Sequence, residues 1–407
     1  MSSHYRNFRN SVPWLILLLE ALFIVLFYFL FLDYSNFPLN DFYTGLKNVN
    51  YVVIFGFGFF LMFLRRYGFS SNGFNLLTIA LGVQCSVLVE GFIDFLFQRE
   101  NEDVLPRLTK AAVSMTAVVI STGAVLGKTN PMQLIVMTVV EIIFFSVSRW
   151  MNIIFLEVPH NASMTHVHLF GAYFGLAVSS RFSEPWPRSE KNTSTPKLDL
   201  MSMLGTLFLW VFLPSFNSVL VMDSKSRAIY NTYFALAASA VTAFVLSVLT
   251  TKDGRFRMTH IHSAVLAGGV AVGYAAESIT YPWIAMILGL LASVIAILGS
   301  YCLQRCLNPV LKIHDTSGVH FTFGLPAVLG ALAQVVLLVI TYWSTSPSLG
   351  YSVLTHVGAF CLTISVALIT GFITGLILNL KPFKIVPVSK YFEDQFYWEF
   401  PHLAVGF

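Results

Sequence analysis

Apolar runs about as long as a membrane is thick recur along the whole sequence, and nothing else constrains the fold as much. A spanning helix needs about 20 mostly apolar residues, within a range of about 17–25. By that rule twelve spans are expected, at 12–32, 51–64, 74–97, 108–126, 131–155, 166–180, 202–222, 230–249, 260–276, 283–304, 318–342 and 353–380. The second is short, with room to extend backwards through Val49. Charged residues make up only 11% of the 407 and apolar ones 56%, whereas a soluble domain carries about 25% charged residues. The expected class is therefore an all-α membrane protein, with lipid as its main solvent. Residues 1–380 are expected to form one polytopic transmembrane domain and 381–407 a cytoplasmic C-terminal tail.

The basic residues set the orientation. Seven of the 24 Lys and Arg (Lys47, Arg99, Arg107, Lys110, Arg149, Lys225 and Arg227) fall on outer segments or span ends. The other 17 fall on inner segments if the N-terminus is inside, so the positive-inside rule puts both termini in the cytoplasm. The net charge of +4 reflects this asymmetry and suggests no nucleic-acid partner. Arg6 and Arg9 precede an apolar run in the manner of a signal peptide. The run is too long for one, however, and no small-residue cleavage site follows, so it reads as an uncleaved first span.

The 4 cysteines are Cys85, Cys302, Cys306 and Cys361. None lies in an outer loop, so no disulfide framework is expected. Cys302 and Cys306 flank Arg305 at the inner end of the tenth span. They are either acylation candidates, as juxtamembrane cysteines are, or two buried small residues. Asn192-Thr-Ser and Asn161-Ala-Ser are sequons; the first lies in an inner loop and the second close to two spans, so little glycosylation is expected.

Ionisable groups inside apolar segments are costly and mark sites by default. Two stretches carry them in similar form: Asp315 to Gly330, containing His320 and Phe323, and His168 to Val178. His168 alone reads either as a hydrogen-bonded core histidine or as a pore residue. An α-helix would put His320 and Phe323 on one face by i,i+3 spacing. Glu20, Glu90, Asp94 and Glu141 also fall within spans, and each is expected to be neutral or paired within the bundle. Pro214-Ser-Phe216-Asn-Ser is either a broken helix lining a cavity or a proline kink. The small-residue run from Ser263 to Gly273 would let neighbouring backbones approach closely. In the tail, aromatics alternate with acids from Tyr391 to His402, either packing under the bundle or docking a partner. No Ser-His-Asp, metal-ligand or nucleotide motif is present, so neither an enzyme nor a cofactor is expected.

Several stretches together resemble the ammonium transporter/Rh family, in its Rh blood-group D/CE branch. They are Gly123-Ala-Val-Leu-Gly-Lys, Phe170-Gly-Ala-Tyr-Phe-Gly-Leu, Thr206-Leu-Phe-Leu-Trp with Pro214-Ser-Phe-Asn-Ser, Leu266-Ala-Gly-Gly-Val-Ala-Val-Gly and the ending from Lys390. The resemblance covers essentially the whole chain. It implies a bundle of two inverted halves, assembled as a homo- or hetero-trimer, with a narrow pore through each protomer. It also implies an Rh-associated glycoprotein-like partner subunit, a plasma-membrane and possible erythrocyte location, and a possible cytoskeletal adaptor at the inner face.

Conducting members of that family have two pore histidines, two stacked phenylalanines and an acid at the outer mouth. His168 matches the first histidine and Phe216 the inner phenylalanine. The second histidine, counted eight residues from Asp315, falls on Phe323, and His320 matches a separate family histidine. The outer phenylalanine falls on Val113, and the mouth acid is replaced by Pro159 or His160. These departures imply a pore of the ammonium/ammonia channel type with weak intrinsic conduction. The alternative is a non-conducting structural subunit that links membrane and cytoskeleton.

Overall fold

The structure, a computed structural model, describes residues 3–30, 41–97, 104–185, 190–219, 221, 224–251, 253–300, 313–343 and 348–400. Cys302 and Cys306 lie outside the described residues. The described chain is all-helical. Its helices are α1 (Ser3–Leu30), α2 (Asp41–Asn50), α3 (Phe57–Phe60), α4 (Gly68–Leu96), α5 (Val104–Ala124), α6 (Pro131–Leu156), α7 (His160–Met164) and α8 (Val167–Ser179). They continue as α9 (Pro196–Ser218), α10 (Lys225–Thr250), α11 (Met258–Gly273), α12 (Pro282–Leu298), α13 (Leu325–Tyr342) and α14 (Leu349–Leu378). Two π-helical segments, Tyr51–Gly56 and His320–Gly324, lead into α3 and α13.

Among the described residues, 8 helices are long and apolar enough to cross a membrane. The other four expected spans coincide with shorter helical stretches: α2 to α3, α8, α11 and α12. The second span does extend backwards, since helix begins at Asp41 and runs with little interruption to Phe60. α1 lies at the rim, with Trp14, Leu18 and Phe29 exposed as apolar residues facing lipid would be. Its one carboxylate, Glu20, accepts a hydrogen bond from Gln84 of α4 at 3.1 Å.

Local signals place the helix ends. α6 opens on a capping box: the Asn130 side chain accepts from the Gln133 N–H, and the Gln133 side chain accepts from the Asn130 N–H. Pro131 follows, where its missing N–H costs nothing. The same two side chains reach across the bundle, Gln133 to the Leu378 carbonyl and Asn130 to that of Phe383, and so pin the end of α14. α9 continues through Pro214 to Ser218, so the proline sits inside an unbroken helix. Asn217 then ties the end of α9 to its neighbours, donating to the Gly269 carbonyl at 3.0 Å and the Thr232 hydroxyl at 3.1 Å.

Small residues set the helix spacing. Gly268 faces the Ala235 carbonyl of α10 and Gly289 of α12, so a methyl group there would meet backbone rather than a movable side chain. The run from Ser263 to Gly273 thus brings α10, α11 and α12 together as expected.

Acids within the bundle are paired. Arg149 of α6 donates to Glu90 of α4, and Arg107 of α5 donates to Asp94 of α4 at 2.9 Å. Glu141 is fully buried and accepts from the Ser121 hydroxyl.

The described part of the tail packs against the bundle. Phe392 is 1% exposed, and its N–H donates to the Gly127 carbonyl at 2.9 Å. Gly127 has a φ of +77°, a left-handed conformation that suits glycine, and a side chain there would meet the Phe392 ring. Asp394 caps α4: its carboxylate accepts from the Phe69 N–H at 2.9 Å and the Ser70 N–H at 2.8 Å. A carboxylate is favoured there because the first-turn N–H groups are otherwise unpaired and carry partial positive charge. Trp398 adds a bond from its indole N–H to the Ser70 hydroxyl at 2.9 Å. Asp394→Asn keeps the shape but loses the charge and one of the two acceptors. It is expected to cost about 1–2 kcal/mol, read as a lower melting temperature and faster proteolysis after Lys390. An unchanged proteolysis rate would mean that the tail is held by its aromatics alone.

Candidate functional site

α8 begins at a break. The short helix α7 ends at Met164, Thr165 and His166 lead out of it, and Val167 opens the new helix. Four residues later Gly171 packs directly on the backbone of Ala117 in α5. That contact fixes the rotation of α8 and, with it, the direction of His168.

His168 is buried, and its ring stacks on Phe323 with centroids 6.2 Å apart and planes 16° apart. The Phe216 ring meets the same imidazole edge-on at 5.8 Å. Three residues singled out in the sequence, from α8, α9 and the segment leading into α13, thus converge. Among the described residues His168 has these ring contacts and no hydrogen-bond partner, so it is not a core histidine tied to a neighbouring side chain.

Phe323 also has apolar neighbours. Phe57 lies 5.5 Å and Phe60 6.0 Å from it, centroid to centroid, both on α3. Phe60 in turn meets His262 of α11 at 5.2 Å. The result is a column of rings: His168, then Phe323 with Phe57 and Phe60, then His262. Below it a cavity of about 300 Å3 is lined by His260, His262, Ser263, Asp315, Thr316 and Ser317, among others.

His320 is not part of this column. Residues 320–324 form a π-helix rather than an α-helix, and its wider turn moves i+3 off the face of i. The His320 ring contacts Tyr173 at 5.9 Å and Phe321 at 4.9 Å, while Phe323 faces His168. The expected common face for His320 and Phe323 is therefore corrected. Asp315 starts this segment: its carboxylate accepts from the Val319 N–H at 3.0 Å and the His320 N–H at 2.9 Å.

The remaining candidates sit elsewhere. Val113 is 2% exposed on α5, in the same buried apolar cluster as Phe216 and Phe323. Pro159 is exposed and precedes the first residue of α7. The His160 side chain lies outside what the structure describes.

Sequence reasoning missed Phe57, Phe60 and His262, as well as a polar cluster around His166. The His166 ring stacks on Tyr274 at 4.9 Å, and its Nδ1 lies 3.0 Å from the Thr363 hydroxyl. The available signals were Phe57 and Phe60 spaced i,i+3, and the His-Ile-His that opens the ninth span. Neither spacing says which helix it will face.

The loop between α5 and α6 adds a buried lysine. Lys128 is 0% exposed, and its amine donates to the Ser179 hydroxyl at 2.6 Å and the His314 carbonyl at 2.5 Å. Burial lowers its pKa to about 7, against an opposing pull from Asp315. A neutral amine has two N–H groups, and both acceptors are supplied.

The sequence model of the Ammonium Transporter Family matches residues 21–395. An "RH-like protein" of Macaca mulatta is 42% identical over 419 residues, covering 100% of both chains. The "Blood group Rh(CE) polypeptide" of Homo sapiens is 42% identical over 420 residues, again covering 100% of both. Among solved structures, the one described as "Nitrosomonas europaea Rh50 and mechanism of conduction by Rhesus protein family of channels" superposes with a TM-score of 0.75 at 26% identity. It covers 90% of this chain and 94% of that one. A "Sensor Amt Protein", 20% identical with a TM-score of 0.65, shares the fold. The chain belongs to the ammonium transporter family, and the curated relatives it matches along its full length are Rh polypeptides.

The Lys128 pKa carries a pH dependence. The unfolded lysine holds its proton up to about pH 10.4, the folded one only up to about 7. Between those values the unfolded state binds more protons, so stability rises with pH. Stability of the detergent-solubilised protein should rise between pH 7 and 9, by up to about 1 kcal/mol per pH unit from this group, read as a climbing melting temperature. Lys128→Met should flatten that climb. An equal slope in the variant would show that Lys128 remains charged in its pocket.

Proposed function

We propose that this protein is a plasma-membrane Rh-type channel subunit whose own pore conducts ammonia weakly. The observation that supports this reading is the stacking of Phe323 on His168, backed by Phe57 and Phe60. In this reading the lumen runs between α8, α9, α11 and the segment before α13, with His168, Phe216 and Phe323 along it and His320 lining it nearer one end. Val113 and Pro159 or His160 stand toward the outer mouth. A second imidazole at position 323 would share a proton with the first and hydrogen-bond a polar solute in a narrow, dry passage. Phenylalanine offers neither donor nor acceptor. A solute passing it loses water contacts worth roughly 2–7 kcal/mol per unmatched polar group.

The wider reading follows the family. The chain crosses the membrane twelve times as two inverted repeats, with both termini and the tail in the cytoplasm. Residues 381–407 are a tail distinct from the transmembrane domain of residues 1–380. Three subunits associate about one axis, with this chain alone or beside an Rh-associated glycoprotein-like subunit in an erythrocyte-type membrane, and a cytoskeletal adaptor is a further partner at the tail face. The closed ring column favours a second reading as well, in which the subunit is structural and does not conduct.

Phe323→His separates the two readings. Relief of about 2–3 kcal/mol of desolvation corresponds to roughly 30- to 150-fold in rate where this step limits. Stopped-flow alkalinisation of vesicles is the measurement. If the native protein already conducts as fast as the histidine variant, Phe323 is not the barrier and the weak-pore reading falls. If neither conducts, the structural reading stands.

A further inference from the structure

A cavity of about 720 Å3 opens where the tail meets the bundle, between the turn after α3, the first turns of α4 and α9, and the residues that follow Glu393. Its volume is that of a pocket for a small organic ligand or lipid headgroup. Its walls have two characters. Met62, Phe69, Leu198 and Trp398 present apolar surface, and Phe69 is 58% exposed. Arg65 and Arg66, consecutive in the chain, also line it, the Arg66 side chain 54% exposed.

The acids at the rim are already engaged. Asp394 is held by the N–H groups of Phe69 and Ser70. Glu393 lies 2.5 Å from Lys191 but 3.9 Å from Arg66, so its charge is directed mainly to the lysine. Arg65 is anchored through its backbone N–H to the Thr193 carbonyl at 2.9 Å and makes no side-chain ion pair among the described residues. The pocket therefore combines the Arg65 charge, and an Arg66 only loosely paired to Glu393 at 3.9 Å, with apolar walls at the end of a bundle built for lipid. Basic pockets between transmembrane helices recognise anionic headgroups in this way.

We propose that this cavity binds an anionic phospholipid, with its phosphate on Arg65 and Arg66 and its glycerol and upper acyl carbons along Met62, Phe69, Leu198 and Trp398. The apolar walls select a lipid over free phosphate, which would leave them empty. Guanidinium groups grip phosphate through paired N–H bonds, and a headgroup of net negative charge is attracted more strongly than one whose ammonium balances its phosphate. The bound lipid would lie between α4, α9 and the tail and brace the tail against the bundle.

Native mass spectrometry of the full-length protein, with phosphatidylserine or phosphatidylcholine added to detergent micelles, tests this. Wild type should retain phosphatidylserine in preference to phosphatidylcholine. Arg65→Gln with Arg66→Gln should weaken phosphatidylserine binding about 30-fold, about fivefold for each charge near a membrane surface. Arg65→Lys with Arg66→Lys, which tests folding with the charge kept, should lose much less. Equal retention of the two lipids by wild type, or equal phosphatidylserine binding by the glutamine double variant, would overturn the proposal. Displacement of the lipid by millimolar inorganic phosphate would overturn the lipid assignment in favour of a free-phosphate site.

Discussion

A bundle immersed in lipid has no water with which to satisfy a misplaced polar group, and that constraint shapes this structure throughout. The carboxylates within the apolar helices each meet a partner: Glu90 with Arg149, Asp94 with Arg107, Glu20 with Gln84 and Glu141 with Ser121. The pairs at Glu90 and Asp94 bind α4 to α6 and to α5, so one helix organises two neighbours. Removing one partner of such a pair costs about 3–5 kcal/mol, because the other charge is left uncompensated, whereas the intact pair adds little net stability. The pairs therefore specify which helix lies beside which more than they hold the bundle together. Cohesion comes from small residues such as Gly171 and Gly268, which let backbones touch and so increase van der Waals contact.

The ring column stands apart from the paired acids. His168 is buried with ring neighbours and no hydrogen-bond partner among the described residues. Elsewhere in the bundle a buried imidazole is anchored, as His166 is to Thr363 and His262 to the Met258 carbonyl. An imidazole left with free nitrogens beside phenylalanine rings is poor design for a core and reasonable design for a passage. The two π-helical segments sit on either side of this point, one leading into Phe57 and Phe60 and the other carrying Phe323. An extra residue per turn rotates the following side chains, and such bulges recur at functional positions.

Much of the architecture was legible in the sequence, because a lipid environment writes itself into composition and length. The all-helical membrane class, the eight helices long and apolar enough to cross a membrane, the pairing of the buried acids and the packing role of Ser263 to Gly273 follow from that. The meeting of His168, Phe216 and Phe323 was legible only through the family resemblance. What remained hidden depends on which elements become neighbours. Arg107 and Arg149 read as outer basic residues, yet both turn inward to carboxylates on α4. His320 and Phe323 were expected on one face, and the π-helix separates them. Pro214 left a break and a kink equally open, and α9 runs on through it. Phe57, Phe60 and His262 had no distinguishing local pattern, since aromatics and histidines at helical spacing are common in apolar segments.

The position of Phe323 is fixed from the tail upward. The Phe392 N–H holds the Gly127 carbonyl, and Lys128, the next residue, holds the carbonyl of His314. Asp315 follows His314 and accepts from the N–H groups of Val319 and His320, which begin the segment carrying Phe323. Each link ends on a backbone carbonyl or N–H, reached by the side chains of Lys128 and Asp315 in the last two, so the chain of contacts sets the placement of the main chain and makes no demand on the side chain at position 323. That is why a histidine at position 323 would occupy the same place as the phenylalanine and face the same His168. Contiguity of this kind determines a position. A switch would require a second arrangement of the Asp315 loop with its own compensating contacts, and a ligand or tail state that binds one arrangement better than the other.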